Sequence, residues 1–240
     1  MLYIIGLGLN EKSISGEGLE VIKKCKKIYL ESYTVTFPYS IRDLEKALGI
    51  KLISADREFI ESFDVLKDAK KSNVALLVYG SPLTATTHIS LLQEAKKQKI
   101  RYEVIYSASV LDAIAETGLQ LYKFGKITSM PEWQREKHYT PDSFMETLKE
   151  NRFINAHSLI LMDIGLDFRK AVYQLRASAE KYDFKMDRIT VCSQLGTRNS
   201  KIFYGTIPEL KNKKIYAPFC FIIPGEMHFF EREVLEEFKN

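Results

Sequence analysis

Three cysteines, one tryptophan and four histidines in 240 residues leave little material for several kinds of chemistry. Cys25, Cys192 and Cys220 lie far apart and form no C-x-x-C unit, which argues for buried free thiols in a reducing compartment and against a disulfide framework. His88, His138, His157 and His228 show no ligand spacing, and no acidic cluster reads as a magnesium site, so no metal is expected. No G-x-S-x-G elbow surrounds any serine, which disfavours a nucleophilic hydrolase. The apolar run of residues 1–9 stops at Asn10, Glu11 and Lys12, too early for a bilayer span or a signal segment; it reads as a first strand. An excess of one charge is missing too. The net charge of +4 is carried by scattered pairs such as Lys23-Lys24 and Lys70-Lys71, which read as solvated helix edges and not as a nucleic-acid stripe. There is no internal repeat and no low-complexity linker.

What is present is an alternation of buried strands with amphipathic segments. Hydrophobic residues make up 45% of the chain and charged residues 28%, enough for a sizeable core and too balanced for disorder. Continuous apolar stretches of strand length occur at 2–5, 27–30, 73–78, 102–105, 159–164, 189–192 and 219–223. Runs buried on both faces belong to sheets covered by helices on each side, so the fold class is α/β. Ser40 with Asp43 marks a helix start, Leu44 and Leu48 continue the face of Ile41, and Gly49 supplies a stop. Residues 88–98 form a second helical pattern with Ile89, Leu92 and Ala95 in one apolar row. The polar, proline-marked stretch 130–141 suggests a boundary, with Pro141 opening a helix that ends near Asn151. Two α/β domains are expected, at 1–112 and 113–240.

Four turns end apolar runs with glycine, proline or a small hydroxyl residue, where an α/β sheet opens toward a ligand. Gly6-Leu7-Gly8-Leu9 follows a strand, but Glu11 stands where a third glycine belongs and no helix begins at once. A phosphate-cradling turn is a poor fit; a tight strand exit and a ligand lying on bare backbone both remain open. Gly80-Ser81-Pro82-Leu83-Thr84 follows the strongest strand, and Thr84, Thr86, Thr87 and His88 either cap the next helix or face a cleft. Ser107-Ala108-Ser109 offers hydroxyls and free N–H groups, for a polar ligand head or for a plain cap. The fourth turn is Pro224-Gly225-Glu226-Met227-His228. With no evident general base, a reaction with an already activated cosubstrate suits the chain. Methyl transfer from a sulfonium donor qualifies, because the protein then supplies alignment and a dry pocket.

Together the segments resemble the diphthine synthase family, in its archaeal form, within the tetrapyrrole (precorrin-like) methylase superfamily. YIIGLGLN at 3–10 is similar to the family's opening strand, GSPLTATTH at 80–88 to G-D-P-[LF]-V-A-T-T-H, and residues 107–125 to N-A-S-[IV]-x-x-A…GLQLYxFG. HSLILMDIGL at 157–166 and PGEMH at 224–228 resemble the family's H-T-L-x-L-L-D-I-K strand and its final P-G-x-[LM]-H turn. The resemblance implies two α/β domains with S-adenosyl-L-methionine in the cleft between them, S-adenosyl-L-homocysteine as product, and a cytoplasmic homodimer without direct nucleic-acid or membrane binding. Carried over by position, the cofactor contacts are Leu9, Ser81, Thr84, Ser109, Val110, Met162, Tyr204 and His228; no catalytic residue is implied. The implied reaction is methylation of the amino group of a 3-amino-3-carboxypropyl-histidine on translation elongation factor 2, giving diphthine. A tetrapyrrole or ribosomal RNA methylase, or a non-catalytic cofactor-binding protein, are the alternatives on the same scaffold. The chain departs from the family at Ser81 for aspartate, Thr84 for valine, Ser107 for asparagine, Gly165 for lysine, and Tyr204 for a small residue; serine replaces a hydrogen bond but not a charge.

Overall fold

The computed structural model describes residues 1–239, which fall into two compact units, Met1–Leu111 and a second from Asp112 onward. The first unit carries five strands, β1 (Leu2–Gly6), β2 (Lys27–Glu31), β3 (Ile53–Ala55), β4 (Val74–Val78) and β5 (Tyr102–Ile105). They form one parallel sheet in the order β3-β2-β4-β1-β5. The period-two alternation of a strand divides its side chains between two cores. Leu2, Ile4, Val74, Leu76 and Val78 pack on one face with Ile60, Val65, Leu66, Leu91, Leu92 and Ala95. Ile5, Ala75 and Leu77 pack on the other with Val21, Ile22 and Leu44. Those partners lie on α1 (Gly16–Ile22) and α2 (Ile41–Leu48) for the second face, and on α3 (Arg57–Glu61), α4 (Asp64–Ala69) and α5 (Ile89–Lys97) for the first. Every residue of β4 is buried, as its uninterrupted apolar run requires.

Local signals explain the helix ends. Ser40 caps α2 by accepting from Asp43 N at 3.1 Å, and Gly49 ends it at φ +68°, a left-handed position that glycine takes without cost. Ser15 accepts from Gly18 N and so delays α1 until after the polar loop that follows β1. In α5 the buried row is Leu91, Leu92 and Ala95, whereas Ile89 is 55% exposed. Leu92 and Ala95 are buried as expected, but Leu91 in place of Ile89 completes the face toward the sheet.

The second unit, entered through the short helix α6 (Val110–Ala113), holds β6 (Thr128–Met130), β7 (Ser158–Met162), β8 (Ile189–Ser193), β9 (Lys201–Gly205) and β10 (Phe219–Ile223). The order is β6-β7-β10-β8-β9, with β6 parallel to β7 and every other pair antiparallel. Its core gathers Phe144, Met145 and Leu148 of α7 (Phe144–Phe153), Phe168, Ala171, Val172 and Leu175 of α8 (Phe168–Lys181), and Leu210 of α9 (Ile207–Leu210). They pack against Ile160, Ile189, Val191, Phe219 and Phe221. Cys192 and Cys220 are buried register partners across β8 and β10. α10 (Phe229–Glu236) closes the described chain.

Two expectations needed adjustment here. Helix α7 begins at Phe144, not at Pro141, whose carbonyl instead accepts the Trp133 indole N–H at 3.0 Å. Strand β7 stops at Met162, because Asp163 turns its carboxylate onto the N–H groups of Glu132 and Ile164. Among the described residues no helix is long and apolar enough to cross a membrane, and no group of three or more His, Cys, Asp or Glu side chains could hold a metal.

Candidate functional site

In the first unit, the turns after β1, β4 and β5 lie at the carboxyl ends of adjacent strands, where open α/β sheets take ligands. The first two are clasped together. Gly8 N donates to Gly80 O at 3.1 Å and Gly80 N to Gly8 O at 3.0 Å, an antiparallel bridge at the mouth of a parallel sheet. Glycine suits it at both positions. Gly8 sits at φ +69° and Gly80 at φ +70°, and a Cβ on Gly6 would come within 2.6 Å of Gly80 O and 2.9 Å of Ser107 Cβ. Tyr79 Oη donates to Leu9 O at 3.1 Å, and Ser107 Oγ to Ser13 O at 3.2 Å, which ties the third turn to the loop after β1. Burial raises the Tyr79 phenol well above its usual range, so its hydroxyl stays a donor at any working pH.

The expected residues of this unit occupy those turns. Leu9 is buried, Ser81 and Thr84 are half-buried with Thr84 N donating to Ser81 O at 3.1 Å, and Ser109 is buried with its Oγ accepting from Leu111 N at 3.1 Å. Val110 opens α6. Space above the backbone remains at Gly80, where a Cβ would meet nothing nearer than 3.8 Å. This backbone-rich, uncharged lining with serine and threonine hydroxyls fits a cationic sulfonium ligand with polar ribose and amino-acid ends better than it fits a phosphate. His88 is buried, with Nδ1 3.2 Å from Pro82 O.

In the second unit, three of the segments singled out in the sequence meet on one buried carboxylate. Glu231 accepts from Gln120 N at 2.9 Å, His228 N at 2.7 Å, Lys123 Nζ at 2.5 Å and His157 Nε2 at 3.0 Å. Burial alone would raise its pKa; the donors from Lys123, Gln120, His228 and His157 outweigh it and hold the carboxyl at about 2. Gly225 N donates to His157 Nδ1 at 2.9 Å, so that nitrogen carries no proton and Nε2 carries the one given to Glu231. Burial, against the pull of Glu231, lowers the His157 pKa and keeps the ring neutral. Gly125 N to His157 O and His157 N to Lys123 O, both 2.9 Å, complete the node, and Gly225 lies too close to the carbonyls of Asn155 and Ala156 to carry a Cβ. Sequence reasoning missed Glu231, which reads as one more charge on a polar helix.

Met162, Tyr204 and His228 sit on separate elements of this unit. Met162 ends β7, one residue beyond the Leu161–Cys220 pair, while Tyr204 belongs to the row of Thr190, Ile222 and Leu159. That puts them three strand spacings apart, roughly 14 Å across the sheet, and about 10 Å apart along it. Tyr204 N already donates to Phe238 O at 3.0 Å, and the cations of Arg188 and Lys239 stand 5.8 and 5.9 Å from the centroid of its buried ring. His228 caps α10, its ring accepting from Phe230 N. Nearer to Met162 in register is the turn after Ser193, where Gln194 at φ +51° and Gly196 at φ +73° repeat the strand-then-left-handed-turn signature of the first unit.

Comparison with known proteins identifies the family. A family model for tetrapyrrole (corrin/porphyrin) methylases matches residues 1–211. A diphthine methyl ester synthase of Candida glabrata is 49% identical over 271 residues, covering 100% of this chain and 90% of the relative. One of Schizosaccharomyces pombe is 36% identical over 268 residues, covering 99% and 94%. A crystal structure of diphthine synthase superposes with a TM-score of 0.89 at 29% identity, covering 99% of this chain and 95% of that one. The chain belongs to the tetrapyrrole methylases and, within them, to the diphthine synthase family.

Proposed function

We propose that the chain methylates the 3-amino-3-carboxypropyl group carried by a histidine of translation elongation factor 2, a step of diphthamide biosynthesis. Family membership makes it a methyltransferase, and the methyl donor of that family is S-adenosyl-L-methionine. The observation that carries the reading is the full-length relationship to diphthine methyl ester synthases, joined to a first-unit turn cluster built from glycine, serine and threonine.

When bound, the donor supplies a sulfonium methyl with a good leaving group. The chain's own residues hold and dry it. In this reading Leu9, Ser81, Thr84, Ser109 and Val110 of the first unit make the contacts there, and Met162, Tyr204 and His228 are the second unit's candidates. Each transfer to the amine releases S-adenosyl-L-homocysteine, and a proton leaves the nitrogen before the next methyl arrives. The relatives are named for a methyl ester, and we extend that product to this chain: a carboxylate is already a nucleophile and needs no proton removed. A cytoplasmic homodimer is part of the same reading, checked by sedimentation of the purified protein.

Labelled donor and the aminocarboxypropylated factor, followed by mass spectrometry of the factor, test the proposal. Label on the modified histidine is expected, with the mass separating trimethylammonium alone from trimethylammonium plus ester. Label in a corrinoid or in RNA with none in the factor, or donor binding without turnover, would overturn it.

A further inference from the structure

Three side chains of the first unit end in buried polar atoms with no hydrogen-bond partner among the described residues: Tyr39 Oη, whose ring packs against Phe37 and Tyr79, and two whose rings meet each other, Tyr33 Oη, on the connection from β2 to α2, and His88 Nε2, at the start of α5. His88 is 1% exposed. The two rings meet edge to face, centroids 6.5 Å apart at 76°. A carbonyl oxygen only accepts, so the 3.2 Å contact of His88 Nδ1 with Pro82 O places the ring proton on Nδ1 and leaves Nε2 with a lone pair. Tyr33 is the opposite kind of group. Burial first, then Glu31 and Glu61, push its phenol up to about 12 against the Arg57 guanidinium 5.3 Å from the ring, so it remains a donor. Glu31 is itself fully engaged by Tyr33 N, Thr34 N and Thr34 Oγ1. An unmet buried donor and an unmet buried acceptor on neighbouring rings each carry an uncompensated desolvation cost that a matching ligand removes.

A group with an ammonium for the acceptor and a carboxylate for the donor matches this pair, and an α-amino acid head carries both. We infer that His88 and Tyr33 receive the amino-acid head of the substrate, His88 Nε2 taking a proton from its ammonium and the Tyr33 hydroxyl donating to its carboxylate. The inference rests on the function proposed above. The proton passes from nitrogen to Nε2; the freed lone pair forms the bond to the donor methyl; the carbon–sulfur bond breaks with its electron pair left on sulfur. The imidazolium then returns its proton to solvent, its Nδ1–H still bonded to Pro82 O. Both atoms are closed to solvent, so substrate entry displaces the segment 82–88. Ala85 in that segment holds φ +54°, a left-handed strain that an opened segment would release.

The four histidines make every ring countable by long-range proton–nitrogen NMR of the full chain. One ring should show the Nδ1–H form, vanish in His88→Asn, and shift on adding the aminocarboxypropylated factor but not the unmodified factor. His88→Asn keeps an N–H near Pro82 O and loses the Nε2 lone pair; Tyr33→Phe keeps the ring and loses the hydroxyl. Both should retain donor affinity by calorimetry and wild-type Tm. His88→Asn should lose about a hundredfold in amine methylation at neutral pH and recover as pH rises, since the amine then deprotonates unaided. Tyr33→Phe should raise KM for the factor roughly tenfold with kcat less affected. An unmoved His88 signal on substrate addition, or a pH profile of His88→Asn parallel to wild type, overturns the inference while wild-type transfer leaves the proposed function standing. Should a variant lose Tm, the wild-type NMR titration decides alone.

Discussion

Replacing Glu231 by glutamine keeps the shape of the side chain and removes its charge. The carboxylate is buried and receives four donors, from Gln120, His228, Lys123 and His157. Glutamine offers one accepting oxygen and a donating NH2 that must face one of those donors, so at least one buried N–H loses its partner and Lys123 loses its counter-ion. Breaking a buried ion pair from one side costs about 3–5 kcal/mol. The carboxyl pKa gives a second measure: held at about 2 against its ordinary 4.5, it corresponds to about 3 kcal/mol at neutral pH. We therefore expect Glu231→Gln to lower unfolding free energy by about 3 kcal/mol, read from urea transitions. The sign with pH is fixed. A depressed folded pKa gives stability that is present above 4.5 and lost as pH falls through about 2, so the gap between wild type and variant should close across that window. A variant within about 0.5 kcal/mol of wild type at pH 7, the scale of an ordinary surface change, would refute the account.

Other outcomes follow from the same geometry. His157 is held neutral, so stability should begin to fall as pH drops below the unfolded value of 6.5; His157→Leu should flatten that part of the urea-midpoint profile while lowering stability overall. Gly118→Ala should destabilise the second unit by more than 1 kcal/mol in thermal melts, since the residue sits at φ +79° and its Cβ would collide with Val234; Val234→Ala should restore only part. Gly6→Ala should separate the clasped turns of the first unit and weaken donor binding by calorimetry, and unchanged affinity would count against those turns as the donor's lodging. Leu76→Ala, at the centre of a strand buried on both faces, should cost about 2–5 kcal/mol.

All seven strands read from the sequence exist; β4, β8 and β10 are buried from end to end and so leave an unbroken run, whereas the edge strand β5 turns only Val104 and Ile105 inward. The three that were missed, β3, β6 and β9, lie at sheet edges. Ile53-Ser54-Ala55, Thr128-Ser129-Met130 and Lys201-Ile202-Phe203-Tyr204-Gly205 bury too little to form such a run. The helix markers Ser40 and Gly49 were legible because capping is local chemistry. Ile89 was misplaced because a strict three-residue spacing drifts around a helix of 3.6 residues per turn, so the first member of the row had left the buried face. The first-unit turns could be found from glycine and hydroxyl residues alone. The carboxylate of Glu231 could not, since its four donors come from three distant stretches of chain. Tyr33 escaped for the same reason: nothing in Ser32-Tyr33-Thr34 announces a phenol facing a histidine more than fifty residues away.

The clasp between Gly8 and Gly80 also sets what those loops can do in time. Each residue's C=O takes up the other's N–H, so neither glycine has a main-chain donor left to offer a ligand, and donation from the backbone starts one residue later, at Leu9 and Ser81. Amide exchange with heavy water should reveal it. Two glycines in open connections would exchange with the slow rhythm of the sheet interior, while the amides of Leu9 and Ser81 exchange faster until a ligand arrives to slow them.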